Sequence, residues 1–374
     1  MKVLLIDQIA KVNYKYSYPM ANGLCKAGAD VELVIDLKQE QENCVCPRLC
    51  LFNTDEKNVS KLAKLKNYIS SYRHICKKLS KGGYDIVHTQ WYTFSPIDYY
   101  YLRRMKKQYG VRYIATVHDI LPFNQKPYDM YFHRKLYSLA DAIILQAPGN
   151  VKRFADLFPE SANKTHMIPH GHMLDYVQIK DKQASRQKLG LPQDKKVFLF
   201  FGQIKKVKGV DILLKAVAKL RERYPELYTV VAGSVWKADF TECEQIIASE
   251  DLADCVHTDI RYIPDGEVAD FYSAADACVL PYTDVYQSGV IQLAYGYRKA
   301  VVATALPAFT QFVREGETGF VAEPRDADSL AAAIERALEA ADLDALGQKG
   351  YELVDRELNW DMLSARIVEE CYKG

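Results

Sequence analysis

The chain has 374 residues, of which 49% are hydrophobic and 26% charged, and its formal net charge is +1. This composition excludes a disordered or fibrous protein and provides enough apolar surface for two domains of ordinary size. The longest apolar runs are strand-sized and Met1 leads directly into a predicted strand, so we expect a cytoplasmic protein with neither a membrane span nor a secretory leader.

The first half of the chain alternates short apolar runs with helical patterns. The predicted strands are Met1–Asp7, Val31–Ile35, Ile86–Thr89, Arg112–Val117, Ala142–Gln146 and Met167–Pro169. The predicted helices are Tyr18–Ala27, Ile97–Gln108, Tyr128–Leu139 and Val151–Phe158, together with a basic segment described below. Helices between short β-branched runs indicate a parallel sheet that is covered on both faces.

The basic segment Lys57–Lys81 contains eight basic residues and no acidic one, with apolar residues at helical spacing. It belongs to a basic half, since residues 1–180 hold 26 Lys and Arg against 16 Asp and Glu, and the remainder holds 23 against 32. Two interpretations stay open: a solvated helix packed on the sheet, or a helix that attracts an anionic membrane surface at the inner face of the cell membrane. Nucleic acid is not predicted as a partner, because no aromatic stacking motif accompanies the charge.

The nine cysteines, odd in number, are typical of reduced cytoplasmic thiols. Cys44, Cys46 and Cys50 lie close together in a stretch predicted as a loop. Because no second Cys or His pair is near them in the sequence to complete four ligands, we predict no metal site there.

After a polar stretch at 178–193 that is predicted to contain little helix, the alternation restarts. Strands are predicted at Val197–Phe201, Tyr228–Ala232, Val256–Asp259, Ala277–Leu280, Ala300–Ala303 and Gly319–Val321. Helices are predicted at Val210–Arg223, Glu242–Glu250, Glu267–Ala274, Gly289–Tyr297 and Asp326–Ala341. The prediction is an α/β protein with two doubly wound, Rossmann-like domains, 1–180 and 181–355, and a ligand cleft between them. The last helix, within 356–374, is expected to cross back to the first domain.

The segment Gly202–Gly209 follows a strand and opens a helix, and it carries three lysines within four positions, Lys205, Lys206 and Lys208. Backbone amides at a helix start attract anions, and lysines add fixed charge. The segment therefore predicts a phosphate-binding loop, the alternative being lysines that are merely exposed.

A second strand, polar loop and helix follow at Leu280–Ile291, where Ser288 is a natural helix cap before Gly289. The chain lacks a Gly-Lys-Ser/Thr phosphate loop and a Gly-x-Gly-x-x-Gly motif. Two cationic helix starts on one domain are suited to bind a diphosphate without either of these motifs.

The second half contains, in this order, the segments FFGQIKKVKGVDILLKA, VVAGS, IRYIPDGEVADFYSAADACVLPY, QSGVIQLAYGYRKAVVAT and GETGFVAEP. Through these segments it resembles the family-4 retaining glycosyltransferases of GT-B fold. The first half agrees through DIVHTQW, TVHDILP and IPHG. The resemblance implies a GT-B fold and transfer of a sugar from a nucleotide diphosphate with retention, as in bacterial surface polysaccharide or glycoconjugate synthesis.

By this resemblance Lys208 holds the donor diphosphate, Gly202 allows close approach, and His118 contacts the donor sugar. The family commonly has Arg where this chain has Gln203, so Lys205 is expected to supply that charge. The remaining positions of the implied donor set are Ile263, Gln287, Ser288, Gly289, Val290 and Gln292. The donor is expected to be a UDP-sugar rather than a GDP-sugar, carrying a hexosyl or N-acetylhexosaminyl group.

One departure concerns the two glutamates, with seven residues between them, with which many members of the family bind the sugar and the ribose. Val285 and Leu293 stand at these positions, in a QSGV sub-pattern. Asp284 and Gln292 are the neighbouring residues that can replace them.

In the implied reaction the leaving phosphate oxygen takes the acceptor proton, so neither a metal nor another cofactor is expected, and His118, Lys208 and Asp284 are the predicted catalytic residues. The first domain is expected to bind a saccharide or lipid-linked acceptor through Asn13, Tyr14, His88 and Trp91. Aromatic residues in a predicted loop at 12–18 either stack on this acceptor or are ordinary surface tyrosines. Two alternatives remain: a binding subunit with reduced catalysis, and a nucleotide-sugar epimerase, for which the acid and base pair is not found.

Overall fold

The structure is a computed structural model that describes residues 1–36, 44–52, 60–122, 125–236, 239–285 and 289–374. These residues form two compact units, one made of 1–172 with 358–374 and the other of 173–357. The sequence places the boundary at residue 180. In the structure the second unit already begins at Met173, because Leu174 and Val177 pack against Gly296 of that unit.

The first unit is built on a sheet of seven parallel strands in the order β3-β2-β1-β4-β5-β6-β7. The strands are β1 Lys2–Ile6, β2 Asp30–Ile35, β3 Arg48–Cys50, β4 Ile86–Thr89, β5 Arg112–Val117, β6 Ala142–Leu145 and β7 Thr165–Met167. Leu5 pairs with Leu33 on one side and with His88 on the other. The chain therefore winds outward in both directions from β1 and β4, and the loops after these two strands flank the point where the strand order reverses.

Helices cover both faces of this sheet. They are α1 Ala10–Lys26, α2 Lys61–Leu79, α3 Ser95–Tyr109, α4 Asp129–Leu139 and α5 Pro148–Leu157, followed by a 3₁₀ segment at Pro159–Lys164. One core contains Tyr72, Leu102 and Leu136 from α2, α3 and α4, and the other contains Tyr18 and Leu24 from α1. The alternation of strands and helices that the sequence predicts is thus confirmed for this half.

The end of the chain belongs to the first unit. After the last helix of the second unit, α14 Trp360–Arg366 runs into a π-helical turn at Ile367–Tyr372 and packs on α1. The Trp360 indole nitrogen donates to the His172 carbonyl at 2.8 Å, and Lys26 pairs with Asp361 at 2.8 Å. Burial of Trp360, Leu363 and Cys371 in the α1 core fixes this segment.

The second unit contains a sheet of six parallel strands in the order β10-β9-β8-β11-β12-β13. The strands are β8 Lys196–Phe201, β9 Leu227–Ala232, β10 Val256–Asp259, β11 Ala277–Leu280, β12 Ala300–Thr304 and β13 Gly319–Ala322. The helices are α6 Lys182–Leu189, α7 Val210–Leu220, α8 Thr241–Ser249, α9 Asp265–Ala274, α10 Gly289–Gly296, α11 Pro307–Thr310, α12 Ala327–Glu339 and α13 Leu343–Glu357. β8 and β11 are neighbours, so the strand order reverses between them.

Three expectations about local structure are wrong. Residues 12–18 lie within α1 rather than in a loop, since the helix begins at Ala10 and continues through Pro19. The cysteine segment contains the short strand β3, which pairs with β2 through Leu49 and Val34. The polar stretch at 178–193 contains α6, because the Asp181 carboxylate caps it by accepting from the Ala184 amide at 2.8 Å.

Candidate functional site

The loops after β8 and β11 lie at the carboxyl edge of the second sheet, on either side of the point where the strand order reverses. This position is where open parallel sheets bind ligands, since loops and helix starts meet there. The segment Gly202–Gly209 is the first of these loops and Pro281–Val285 the described part of the second. We call Gly202–Gly209 the lysine loop and Pro281–Val285 the facing loop.

Backbone hydrogen bonds and the close contact of one glycine fix the lysine loop. The Ile204 amide donates to the Ser234 carbonyl at 2.9 Å, and the Thr283 amide donates to the Val207 carbonyl at 2.8 Å. Gly209 has a left-handed φ of 67°, and a Cβ on it would lie 2.0 Å from the Pro281 carbonyl oxygen. Only glycine allows this approach, so the two loops are held directly against one another.

Lys208 lies in this contact. Its ammonium nitrogen is 3.6 Å from the centre of the Tyr282 ring, a cation–π contact, and the side chain is half-buried. Burial, with a smaller contribution from the charge of Lys205, lowers the pKa of Lys208 to about 8. Among the described residues no carboxylate pairs with the Lys208 ammonium. A half-buried cation without a counter-ion is typical of a site that binds an anion.

The other two lysines of the loop differ from Lys208. Lys206 points to the protein surface, where it pairs with Glu242 at 2.7 Å and with Asp211 at 3.2 Å. Lys205 lies 5.6 Å from the centre of the Trp236 ring. Lys206 is therefore already paired with two acids at the surface, whereas Lys205 and Lys208 are the two lysines of the loop that the sequence assigns to the donor.

The remaining donor positions surround the same edge. Gly202 adjoins α10, since a Cβ on it would lie 3.8 Å from Val290, and Gly289 begins that helix at an exposed position. Gln203 and Asp284 are exposed, whereas Ile263 and Gln292 are buried. Gln287 and Ser288 lie outside the described residues.

In the first unit, a cavity of about 300 Å³ opens at the carboxyl edge of the sheet. Its lining consists of Gln90, Trp91, Tyr92, Thr116, Val117, His118, Asp119, Pro122 and His133. Burial raises the pKa of Asp119, while Arg153 opposes that shift. Aromatic rings, an imidazole and a carboxylate in one small cavity are the groups that a polyhydroxylated ligand needs.

His118 forms one wall of the cavity. Its ring stacks on Trp91 at 4.6 Å between centres and meets Tyr16 edge-on at 4.7 Å. Its Nε2 lies 3.0 Å from Gln90 Oε1, which can only accept, so Nε2 carries the hydrogen. Burial, assisted by His170, lowers the pKa of His118 to about 3, so the ring is a neutral hydrogen-bond donor near pH 7.

His88 lies inside the sheet rather than in the cavity wall. It is fully buried, with Nδ1 at 2.7 Å from the Tyr372 hydroxyl and Nε2 at 2.8 Å from the Thr116 hydroxyl. Both nitrogens are thus used within the protein, and the ring joins the end of the chain to the sheet.

Asn13 and Tyr14 lie in the first turns of α1. The Asn13 amide donates to Asp7 at 3.2 Å, and the Ser17 hydroxyl donates to the same carboxylate at 2.5 Å. Burial raises the pKa of Asp7 to about 6, and these donors oppose the shift. Tyr14 is half-exposed, whereas Tyr16 and its neighbour Tyr18 are core residues. Asn13 thus holds the start of α1 in place.

Sequence reasoning missed Tyr282, Asp119 and His133. Tyr282 and Asp119 each lie two residues after the end of a strand, at the carboxyl edges of the sheets, a signal that was available for both. His133 lies inside α4, four residues after Asp129, whose carbonyl oxygen is 2.9 Å from its Nδ1. No sequence pattern marks such a residue as part of a cavity.

In the described part of the chain, no three or more His, Cys, Asp or Glu side chains are grouped so that they could hold a metal ion. None of the helices traced in the structure combines the length and the apolar character that a membrane crossing requires.

Comparison with known families gives a match to each half of the chain. The sequence model of the family described as Glycosyltransferase Family 4 matches residues 15–176, and that of Glycosyl transferases group 1 matches residues 181–352. The lysine loop and the facing loop lie in the second match, and His118 with its cavity lies in the first.

Individual relatives are distant. D-inositol 3-phosphate glycosyltransferase of Geodermatophilus obscurus is 27% identical over 291 residues, which are 72% of this chain and 63% of that protein. Lipopolysaccharide 1,2-N-acetylglucosaminetransferase of Salmonella typhimurium is 28% identical over 215 residues, which are 54% of this chain and 55% of that protein. Both matches thus span less than two thirds of the relative's own length.

The fold is also found in solved structures. HepE of Anabaena, in its complex with UDP, superposes with a TM-score of 0.71 at 17% identity and covers 100% of both chains. The α/β class with two parallel sheets, which the sequence predicts as GT-B, is confirmed by such structures.

Proposed function

Since the chain belongs to the glycosyltransferases that join a family 4 domain to a group 1 domain, we propose that it transfers a sugar from a nucleotide diphosphate to a saccharide or lipid-linked saccharide. The proposed reaction retains the configuration of a hexosyl or N-acetylhexosaminyl group and serves bacterial surface polysaccharide or glycoconjugate synthesis. The observation that carries this proposal is the half-buried Lys208 ammonium, which meets Tyr282 and no carboxylate among the described residues.

A cation that is withdrawn from water without a counter-ion is unfavourable, and an anionic ligand removes that cost. Lys208, Lys205 and the start of α10 at Gly289 are proposed to hold the donor diphosphate. The Gly202 backbone leaves room beside Val290 for the phosphates to approach. We assign UDP as the nucleotide, because HepE, a protein of the same fold, binds it.

The chemical task of these residues is to stabilise the charge that grows on the leaving diphosphate. Fixed lysine charges and helix amides supply that stabilisation without reorganisation during the reaction. The leaving phosphate oxygen takes the proton of the acceptor hydroxyl, so the reaction needs no paired carboxylates of the kind found in glycosidases. His118 is proposed to donate its single Nε2 hydrogen, which Gln90 accepts in this structure, to the transferred sugar instead when the donor binds, and Asp284 is proposed to orient that sugar. This scheme uses no metal ion.

The acceptor is proposed to enter the cavity of the first unit. Trp91 and Tyr92 offer apolar rings, and Asp119 offers a carboxylate that accepts hydroxyl hydrogen bonds. The relative from Salmonella is named as a transferase acting on lipopolysaccharide, which agrees with a lipid-linked acceptor.

The basic surface charge of the first unit agrees with an acceptor that is anchored in a membrane by its lipid. The neighbouring helices α2, α3 and α4 carry only two acids, Asp98 and Asp129, and both are buried. Their basic residues are Lys61, Lys64, Lys66, Arg73, Lys77, Lys78, Arg103, Arg104, Lys106, Lys107, Arg134 and Lys135, of which Lys78, Lys106 and Arg134 pair with Glu32, Asp141 and Glu160. Because the apolar side of α2 is buried in the core, we propose that this basic face adsorbs to anionic lipid by charge alone, without insertion.

The transfer itself is tested with UDP- and GDP-sugars. Slow release of free nucleotide diphosphate is expected, with UDP-sugars preferred, and Lys208→Ala should abolish it. Lys206→Ala is the matched control, since it removes a lysine from the same loop whose charge is already paired, and it should retain activity. Tight binding without turnover would instead assign a binding subunit, and conversion of the sugar without nucleotide release would assign an epimerase.

Membrane adsorption is tested by flotation with vesicles that contain anionic phospholipid. Binding is expected at low salt and should be lost as salt rises. The double change Lys64→Glu and Lys66→Glu should weaken it, whereas Lys215→Glu with Lys349→Glu alters net charge equally on the second unit and should not. Absence of binding at low salt would remove the membrane from the proposal and leave the transfer untouched.

A further inference from the structure

Two thiols come together at the edge of the first sheet, away from the cavity. Cys44 and Cys46 immediately precede β3, and their sulfur atoms lie 3.4 Å apart. Only Val45 separates the two cysteines, and its side chain is 75% exposed, whereas Cys46 is buried and Cys44 is half-buried. The pair is therefore held against the protein interior rather than formed by freely rotating exposed side chains.

The surrounding contacts hold this segment in place. The Val45 amide donates to the Asn22 side-chain oxygen on α1 at 2.9 Å, and the Leu33 amide donates to the Pro47 carbonyl at 2.9 Å. Cys46 is 5% exposed within the α1 core, and Cys44 is half-buried against that core. The inner thiol is thus protected, and the outer one remains accessible from solvent.

We propose that Cys44 and Cys46 form a reactive dithiol, with Cys44 as the nucleophile and Cys46 as the resolving thiol, which a hydroperoxide oxidises to an intrachain disulfide. The sulfur atoms need to move only from 3.4 Å to the bonding distance of about 2.05 Å. No other thiol has to be brought from a distance.

The charges around the pair support these roles. A hydrogen bond from the Cys46 thiol is the largest effect that lowers the pKa of Cys44 to about 7, and the Arg48 guanidinium adds to it. Cys46, as the donor, keeps its proton, and its pKa is raised. By contrast, burial raises the pKa of the thiols of Cys25, Cys76, Cys243, Cys255, Cys278 and Cys371.

The proposed reaction has two steps. The Cys44 thiolate attacks one peroxide oxygen, so an S–O bond forms while the O–O bond breaks, and the leaving oxygen takes up a proton. Cys46 then attacks the Cys44 sulfur, so the S–S bond forms and hydroxide leaves with the Cys46 proton as water. Two thiols are oxidised, and hydrogen peroxide is reduced to two molecules of water.

The test uses the reduced full-length protein with graded hydrogen peroxide, blocking with N-ethylmaleimide, digestion and mass spectrometry. We expect the peptide that contains both cysteines to lose two hydrogen atoms first, and dithiothreitol to reverse this. Cys46→Ser should stop the reaction at a Cys44 sulfenic acid that dimedone labels, and Cys44→Ser should abolish it. Cys50→Ser is the matched control, since it removes an exposed thiol of the same segment and should change nothing.

Reactivity before oxidation gives a second readout that does not depend on the variants folding. In the unmodified protein at pH 7, Cys44 should be alkylated roughly 5- to 15-fold faster than a solvent thiol of pKa about 8.5. Its rate should rise with a midpoint near 7, set by the facing groups Cys46, Arg48 and Cys25. Oxidation that begins elsewhere, a disulfide between two chains, or Cys44 alkylation no faster than that of Cys50 would each overturn the proposal.

Discussion

The Lys208 ammonium lies 3.6 Å above the centre of the Tyr282 ring, so the lysine loop after β8 meets the facing loop after β11 through a cation and an aromatic face. The Tyr282 carbonyl oxygen accepts from the Thr304 hydroxyl at 2.7 Å, which ties the ring's backbone to β12. The ring therefore orients the ammonium but supplies no negative charge. An anion that binds there completes the arrangement, and the consequence is measurable as a pH dependence.

The first prediction concerns the affinity for UDP. Because the pKa of Lys208 is lowered to about 8, the free protein loses this charge as pH rises through 8, and the bound diphosphate must restore it by proton uptake. The dissociation constant for UDP should therefore be flat below pH 7 and should rise toward tenfold per pH unit above 8. Titration calorimetry between pH 6.5 and 9.5 measures this directly.

Lys208→Arg provides the control for that titration, since guanidinium stays charged over the whole range. This variant should bind UDP more weakly than the unchanged protein, because it stacks differently on Tyr282, but its affinity should vary little with pH. The same steep loss in both proteins would place the titrating group elsewhere.

The second prediction concerns Gly209. Gly209→Ala places a Cβ at 2.0 Å from the Pro281 oxygen as well as in a left-handed backbone conformation, so the loop must move. Gly190 has the same φ of 67° with open space around it, and Gly190→Ala therefore carries the backbone strain alone, about 1 kcal/mol. UDP binding should fall at least tenfold in Gly209→Ala and remain unchanged in Gly190→Ala, by calorimetry on proteins with native circular dichroism. Equal affinity in both would show that the loop contact is unimportant.

The parallel sheets could be predicted from sequence because every long strand is an apolar run between helical patterns. β4, β5, β10 and β11 have the predicted bounds. The start of α1 could not be predicted, since its first turns contain Tyr16 and Ser17 beside a proline, which have weak helix preference. The start of the helix is instead stabilised by ring contacts of buried Tyr16 with His118 and His170, two residues that are distant from it in the sequence.

The candidate site was predictable in part for a related reason. Gly202 directly follows β8, Lys208 lies in the loop between β8 and α7, and Gly289 begins the helix after β11, so the sheet topology brings these connections to one edge. The difference in ion pairing between Lys208 and Lys206 was not predictable from the sequence, because the partner of Lys206 is Glu242, an acid 36 residues further along the chain. The burial of His88 likewise depends on Tyr372, which is 284 residues away in the chain.

The third prediction concerns His118, whose proposed role is that of a neutral donor. Its pKa of about 3 means that the ring does not gain charge between pH 5 and 8, so no imidazole titration of this residue should contribute to the rate profile there. His118→Ala should lower kcat by about 10²-fold, the loss typical of one hydrogen-bond donor, while UDP affinity changes little. His118→Gln keeps an N–H donor and should recover part of the rate.

The rates are measured with a saturating UDP-sugar, and UDP affinity is measured separately. If His118→Ala weakens UDP binding as much as it lowers kcat, the residue acts through the nucleotide or the fold rather than the transferred sugar. A kcat that falls along an imidazole titration curve in the unchanged protein, and not in His118→Gln, would contradict the neutral ring.

The fourth prediction concerns His88 and the stability of the first unit in acid. Burial lowers the pKa of His88 to about 3 in the folded chain, so between pH 6.5 and 3 the unfolded state binds the extra proton and folding loses free energy as pH falls. Burial raises the pKa of Asp98 to about 6, which works in the opposite direction below pH 6 and hides part of this loss. A comparison of two proteins that share Asp98 isolates the histidine.

His88→Gln keeps a neutral side chain that can reach the Thr116 and Tyr372 hydroxyls, but it cannot titrate. At pH 7 the variant should be less stable by about 1 kcal/mol, because its hydrogen bonds are less well aligned. From pH 7 to pH 4 the difference should shift in favour of the variant by about 3 kcal/mol, since roughly 1.36 kcal/mol accompanies each unit of pKa difference that is crossed. Urea unfolding at both pH values, monitored by far-ultraviolet circular dichroism, measures this shift. A difference that is the same at pH 7 and pH 4 would mean that His88 is protonated with little cost inside the sheet, and its hydrogen bonds to Tyr372 and Thr116 would then have to be reassigned.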